Sequence, residues 1–488
     1  MSLIRSTTWS AVAAIVLTGG RFFVTMLLAR KLGVTEFGKF AFAQWLVDMV
    51  FLSLAFGLPG SASRFFAEFR TQSANLVAYE RWYMPRSLFV MAAVALVSPM
   101  VALAFNGEVG LKFALLQAGW TASTAAWALL LARAQGLQRF RRMAVSNLVF
   151  VMLALAGCAL LPDQGANVSS AMLLVTLATA AAALATWLPL PDRLVEDDQS
   201  LQRSNIDHRV LRTFGINIWI TSLVGALVWS RGEIVVVRAQ LGVADVAIYS
   251  IALSLTSIAT QGLMLLTGAL GPHLAQMWGA GKYAEAIDLS RRITDMLTLT
   301  AGFLVIALIS FGPELIFYAF GSAYIESNTT LAILSIGTLG LTSAAANQLL
   351  QIKTNGSFAR NTNFFGVIGL FVTAVPMIMM MEIIGAALSR VTVQISVGVA
   401  AMYFAQRLVG VKSISWVNQI KTATVVFIVI GFIFLLNLAL PYRVLIFGLA
   451  ILIQIYWLRN DGNELIFKDL IGRIYSIISP RIFGKTVK

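Results

Sequence analysis

The chain has 488 residues, of which 58% are hydrophobic and only 12% charged, against about 45–50% and 25% in an ordinary soluble domain. No soluble core absorbs that excess. The net charge of +14 does not mark a nucleic-acid binder either, because the Lys and Arg lie in short clusters between apolar runs and form no basic domain. The single cysteine, Cys158, excludes an intramolecular disulfide and a cysteine-based metal site.

Apolar runs of about 17–25 residues match a bilayer core of about 30 Å crossed as a helix. In chain order they predict spans near 10–28, 40–58, 87–105, 113–132, 144–161 and 171–190, then 214–236, 247–270, 294–312, 329–350, 362–381 and 384–405, and finally 422–440 and 443–458. The fold class is therefore an all-α polytopic membrane protein of about 14 transmembrane helices. The first run contains Arg21 and leads into Ala29-Arg30-Lys31 with no small-x-small cleavage site, so it reads as a span and not as a cleavable signal. Residues 191–213, with Glu196-Asp197-Asp198 and Arg203, Arg209 and Arg212, form the longest internal hydrophilic break. They are expected to link a six-helix bundle over 1–190 to a second over 214–405, with two additional spans and a basic tail over 406–488.

The positive-inside rule gives the orientation. With the N-terminus inside, inner segments hold 27 of the 36 Lys and Arg, outer loops hold six, and three lie within spans. Both termini are expected in the cytoplasm. An internal echo supports two parallel halves: Leu32-Gly33-Val34-Thr35-Glu36-Phe37-Gly38-Lys39-Phe40-Ala41-Phe42-Ala43 recurs as Leu241-Gly242-Val243-Ala244-Asp245-Val246-Ala247-Ile248-Tyr249-Ser250-Ile251-Ala252, sharing Leu-Gly-Val, an acid, an aromatic and a final Ala, each copy joining the first and second spans of its group. Parallel repeats related by an axis along the membrane normal are a common transporter plan, with the substrate path at their interface.

The stretch Leu28-Ala29-Arg30-Lys31-Leu32-Gly33-Val34-Thr35-Glu36-Phe37-Gly38-Lys39-Phe40, continuing to Gly57-Leu58 and Ser63-Arg64, resembles the opening of Wzx-type polysaccharide flippases. Those belong to the multidrug/oligosaccharidyl-lipid/polysaccharide exporter (MOP) superfamily. Arg231-Gly232-Glu233, Tyr249, Gly271-Pro272, Phe320-Gly321-Ser322-Ala323-Tyr324 and Gly385-Ala386-Ala387-Leu388 follow in the family's order and carry the resemblance over about residues 1–410. It implies a V-shaped pair of six-helix bundles that open alternately to either face. It also implies an isoprenoid-diphosphate-linked oligosaccharide as substrate, a bacterial cytoplasmic membrane location, and other polysaccharide-assembly proteins as partners beside the lipid bilayer.

An ionisable residue at mid-bilayer costs about 2.5–3.5 kcal/mol on insertion scales and so faces a partner or a wet cavity. Arg21 and Arg231 sit at matching places in the first span of each half, and Arg390 follows Gly385 in the twelfth span. The planar guanidinium fork suits a diphosphate, so these three are the candidate cavity cations. Their structural alternative is pairing of Arg21 with Asp48 and of Arg231 with Glu233; those two acids are also candidates for ion coupling. Gln44, Asn217, Gln261, Asn347, Gln348 and Gln394 are candidate sugar contacts or interhelical hydrogen bonders. Trp219 and Trp229 either stack on sugars or anchor at the interface. His208 and His273 make no metal-ligand pair, no P-loop signals direct use of ATP, and no cofactor is implied.

The leading expectation is a flippase that moves a lipid-linked oligosaccharide outward for O-antigen, capsule or exopolysaccharide. Rivals are a peptidoglycan lipid-precursor flippase, a cation-coupled multidrug exporter, whose cationic substrates want an acidic cavity, and, in another class, a membrane polysaccharide polymerase or ligase. The enzyme needs a catalytic outer loop, and the longest outer break, about 313–328, carries only Glu314 and Glu326 as charged residues.

Overall fold

A computed structural model describes residues 3–460 apart from 71, 106–109, 164, 189–205, 268–269, 355–356, 411–414 and 437. The predicted acidic part of the linker and the basic tail therefore lie outside the described residues. What is described is helical, with no strand among it. In order the helices are α1 (Leu3–Leu54), α2 (Leu58–Glu68), α3 (Ser73–Phe105), α4 (Leu111–Gly136), α5 (Phe140–Leu160), α6 (Val168–Trp187), α7 (His208–Ala226), α8 (Ile234–Gln240) and α9 (Val243–Thr267). Then follow α10 (Leu270–Gly279), α11 (Tyr283–Phe320), α12 (Ser327–Ile336), α13 (Ala344–Lys353), α14 (Ser357–Leu408), α15 (Trp416–Leu435) and α16 (Leu440–Asn460).

Eleven helices among the described residues are long and apolar enough to cross a membrane. Two of them carry two predicted spans each. The 52-residue α1 is broken at Gly33 (φ 70°), between the first and second spans. The 52-residue α14 is broken at Glu382 (φ 53°), between the eleventh and twelfth. The apolar stretch Leu440–Gln454 of α16 is shorter than the eleven, and with it each of the fourteen expected apolar runs is helical over most of its described residues. The seventh span departs from simple form. It passes from α7 into a π-helical turn, Leu227–Arg231, before α8 resumes. The hydrophilic stretch before the third span is also no loop, because α3 begins at Ser73 and runs through it.

The chain forms two compact units. The first comprises Met1–Ile258, Leu315–Thr330 and Asn363–Arg390, and the second comprises Ala259–Glu314, Leu331–Thr362 and Val391–Lys488. Within the first, α1 packs along α5, α4 lies against α3 and α6, and α2 against α4 and α7. Its buried aromatic core sets Phe66 edge-on to both Tyr79 and Tyr83, with Phe65 tilted against Tyr79 and the two tyrosine rings stacked. Lipid tails are as apolar as leucine, so hydrophobicity alone does not hold such helices together; close packing and interhelical hydrogen bonds do. Trp127 Nε1 donates to Ser146 Oγ at 2.7 Å, and Gln117 Nε2 donates to the Ala43 carbonyl at 2.9 Å. Bonds of this kind average about 0.6 kcal/mol in a membrane.

In the second unit, buried Val305, Ile306, Ile309, Val425, Val426 and Val429 make a branched aliphatic seam. Arg443 Nη2 pairs with Glu314 Oε1 at 2.5 Å and Arg443 Nη1 donates to the Ser310 carbonyl at 2.9 Å, which ties the start of α16 to α11.

Candidate functional site

The site lies in the first unit. One turn of π-helix carries Arg231 at its end, and Gly232 follows at once. A Cβ on Gly232 would strike the Leu227 carbonyl oxygen, so only glycine fits where the wide turn folds back into α8. Arg231 and Glu233 are two residues apart, and residues at that spacing do not face each other on a helix. They serve different neighbours. Glu233 is fully buried and accepts from Arg390 Nη1 at 2.8 Å and from Tyr249 Oη at 2.7 Å, both on Oε1. The other guanidinium arm of Arg390 donates to the Trp229 carbonyl at 2.8 Å. Glu233 Oε2 has no hydrogen-bond partner among the described residues.

Arg21, on the first segment of α1, faces a small cavity of about 50 Å³, which Gln44 and Asp48 from the second segment also line. Thr25, Trp120, Thr124, Phe150 and Thr179 complete its polar and aromatic wall. The Arg21 guanidinium stands 5.8 Å from the ring centres of both Trp127 and Phe150, a cation–π arrangement that holds the charge without neutralising it. Arg21 and Asp48 are exposed, but exposed to this cavity while protein atoms enclose them. Asp48 is near enough to Arg21 and Arg231 for both charges to act on it. No ion pair within 4 Å joins Asp48 to either among the described residues.

The structure thus brings Arg21, Gln44 and Asp48 to one cavity, with Arg231 within electrostatic reach, and pairs Arg390 with Glu233 beside it. Arg231 and Arg390 act on each other electrostatically as well. The other candidates lie elsewhere. Asn217 and Gln261 are exposed. Gln348, Gln394 and Asn347 belong to the second unit, where Gln348 packs on Gly271 and Gln394 on Gly337 and Gly340. The indole N–H of Trp219 is bound to the carbonyls of Leu52 and Ser53, both at 3.1 Å, and that of Trp229 to Asn363 Oδ1 at 3.0 Å. Sequence reasoning did not single out Trp127, Phe150, Thr124 or Thr179, because only the packing of α4, α5 and α6 around α1 brings them to Arg21. Tyr249 stood in the sequence as a motif residue, with no sign of its partner.

Ties on the side of the predicted outer loops close this unit. Tyr324 Oη, in the predicted Phe-Gly-x-x-Tyr motif, donates to the Ala29 carbonyl at 2.9 Å, and Arg30 donates to the Tyr318 carbonyl. Glu36 accepts from Lys39 Nζ at 2.6 Å and from the Val168 N–H at 2.8 Å, so it caps the start of α6. A Cβ on Gly38 would overlap the Val243 carbonyl oxygen and come within 3.5 Å of Ala247 Cβ. Gly38 and Ala247 are the seventh residues of the two repeated strings, so the echoes touch at equivalent positions. On the loop after α5, Lys31 Nζ pairs with Asp163 at 2.6 Å and holds its carboxyl below the usual carboxylate range.

Solved structures share this fold. An inward-facing multidrug resistance MATE family transporter of the MOP superfamily superposes with a TM-score of 0.66 at 13% identity, over 83% of this chain and 98% of that one. The lipid II flippase MurJ, in an inward closed conformation, superposes at 0.56 and 14% identity over 96% of this chain and all (100%) of its own. A MATE transporter from Vibrio cholerae gives 0.58 at 17% identity over 83% and 95%. No curated protein matches the sequence. The family model described as polysaccharide biosynthesis protein matches residues 3–278. That is more than half of the chain, and the chain therefore belongs to the polysaccharide biosynthesis protein family, as a multi-pass membrane protein built on the fold of MOP-superfamily exporters and flippases.

Proposed function

We propose that this protein flips an isoprenoid-diphosphate-linked oligosaccharide from the cytoplasmic to the outer leaflet of a bacterial cytoplasmic membrane, for assembly of a surface polysaccharide. The observation that carries the proposal is the charge of the enclosed site. Among the described residues, the only acids that Arg21, Arg231 and Arg390 face are Asp48 and Glu233, and Glu233 is paired with Arg390. Arg21 and Arg231 then supply unpaired cations that Asp48 balances only in part, and a diphosphate fits that balance. Arg390, fixed by Glu233 and the Trp229 carbonyl, adds to the field from a constant position. Gln44, Thr124 and Thr179 offer hydrogen bonds, and Trp120 and Phe150 offer faces, for the first sugars.

The MATE transporter superposes better than the lipid II flippase, but fold does not choose substrate; the site does. A net positive site disfavours cationic drugs and favours an anionic lipid. The two-copy organisation over 1–190 and 214–405 belongs to the same proposal, and the contact of Gly38 with Ala247 supports it. The placement of both termini in the cytoplasm is also part of the proposal, and reporter fusions in the 191–213 linker and at Ser327 test it by reading inside and outside respectively.

The deciding experiment replaces the two unpaired arginines. Arg21→Ala and Arg231→Ala should each abolish export, with lipid-linked oligosaccharide accumulating on the inner leaflet and protein abundance nearly unchanged. Lys should rescue in part, because it restores charge without the bidentate fork, and Glu should be worse than Ala. Full export by either Ala variant, or loss of the protein from the membrane, would remove that arginine from substrate binding.

A further inference from the structure

A second basic cavity lies apart from the one described, between α2, α3 and α7. Its volume is about 320 Å³, within the roughly 300–1,000 Å³ of small-ligand sites. Leu58, Val90 and Leu211 form its floor and are all but fully buried. Phe89 and Ile216, 65% and 46% exposed, form walls open to the surroundings of the bundle. Among the described residues, two arginines, Arg86 and Arg212, and no acid line it.

These arginines are available. Arg86 stands over the Trp82 ring at 4.2 Å and spends one N–H on the Trp82 carbonyl at 2.7 Å. The Arg212 side chain is exposed and has no partner among the described residues. The acids nearby are engaged elsewhere: Glu68 with Arg64, Glu80 with Arg133, and Asp207 with the backbone N–H of Arg209.

Depth is the second observation. Arg86 immediately precedes the apolar run 87–105, and Arg212 stands two residues before the run 214–236. Both belong to the segments that hold most of the Lys and Arg. Phe89, Val90, Gly215 and Ile216 lie one turn further into the apolar runs. Two guanidinium groups at headgroup level above an apolar slot that opens sideways match a lipid, with its phosphate between the arginines and a chain along Phe89 and Ile216. Basic pockets between membrane helices on the cytoplasmic side bind anionic headgroups in this way.

We infer that the cavity framed by Arg86, Arg212 and Trp82 binds an anionic phospholipid from the leaflet on the basic side of the protein, at a site separate from the transport cavity. Which leaflet this is rests on the orientation proposed above, but the binding does not. The test uses the full-length protein in nanodiscs of phosphatidylcholine with about a tenth phosphatidylglycerol. Native mass spectrometry then reads the lipid retained by the wild type, by Arg86→Gln with Arg212→Gln, and by a control pair of equal charge loss, Arg291→Gln with Arg360→Gln.

Wild type and control should hold phosphatidylglycerol, and the pocket variant should retain roughly thirtyfold less, as expected for two lost charge contacts of this kind. Equal loss in the control, or phosphatidylcholine held as well as phosphatidylglycerol, would overturn the assignment. A second readout does not depend on folding of the double variant. Phosphatidylglycerol brominated on its chain should quench wild-type tryptophan fluorescence more than it quenches Trp82→Phe, and brominated phosphatidylcholine should show no such difference. Equal quenching of both proteins by the anionic lipid would also overturn it.

Discussion

Breaking the Arg390–Glu233 pair by Arg390→Met should destabilise the protein far more than removing both charges. The pair is deep: Arg390 is 7% exposed and Glu233 not at all. At 2.8 Å the charges attract by about 6 kcal/mol at an effective dielectric of about 20, most of which offsets the desolvation of the two ions. Removing the arginine leaves Glu233 buried with only the Tyr249 hydroxyl, and an uncompensated charge of this kind costs about 3–5 kcal/mol. With an unfolding entropy of about 2.1 cal/mol/K per residue, a chain of 488 residues should lose about 3–5 °C in Tm. That is a floor, since helices that persist in detergent lower the entropy. Adding Glu233→Gln removes the stranded charge and keeps an acceptor for Tyr249, so the double variant should recover at least about 2 °C. Cys158 provides the assay, because the single thiol is fully buried and reacts with a thiol-activated dye only as the protein opens. An unchanged Tm for Arg390→Met, or strictly additive losses in the double variant, would refute the reasoning.

Gly38→Ala sets two effects against each other. Alanine favours a helix over glycine by about 1 kcal/mol, but its methyl group must displace the Val243 carbonyl, and overpacking costs about 1–3 kcal/mol. A lowered Tm is expected, and a raised one would mean that the two strings do not pack as described. For the exposed Asp163, a carboxyl held low by Lys31 contributes stability above its unfolded pKa of about 3.9 and loses it as pH falls through the folded value. Asp163→Asn should therefore lower Tm slightly at neutral pH, and the gap should shrink as pH falls through the folded value and vanish below it; a gap that persists once the carboxyl is protonated in both states would exclude the ion pair as its cause.

The helices were legible in the sequence because lipid forces every spanning backbone into one form, and apolar runs of the right length mark it. The breaks at Gly33 and Glu382 fall between predicted spans. The site was legible in part. Arg21, Asp48 and Gln44 were named from their scarcity in apolar runs, and the structure places them on one cavity. The ring partners of Arg21, Trp127 and Phe150, lie more than a hundred residues away, and no local periodicity points to them. The pairing considered for Arg231 with Glu233 shows the limit. Adjacency in sequence suggested it, helix geometry disfavours it, and the true partner of Glu233 is 157 positions distant. The π-turn that sets Arg231 left one trace, Gly232, which explains itself only when the Leu227 carbonyl is seen beside it.

The reversal at Glu382 has a mechanical side. A Cβ placed on Gly385 would collide with the Met377 carbonyl, so the two arms of α14 touch beside the turn and are joined there by a single non-helical residue. There is no slack in such a joint. Neither arm can slide lengthwise past its neighbour, as helices joined by a loop can. Arg390 sits eight residues beyond the turn, about 12 Å along the axis. A shift of the stretch 363–381 would therefore reach Arg390 through a short joint and, by way of its bond to Glu233, the segment that carries Arg231.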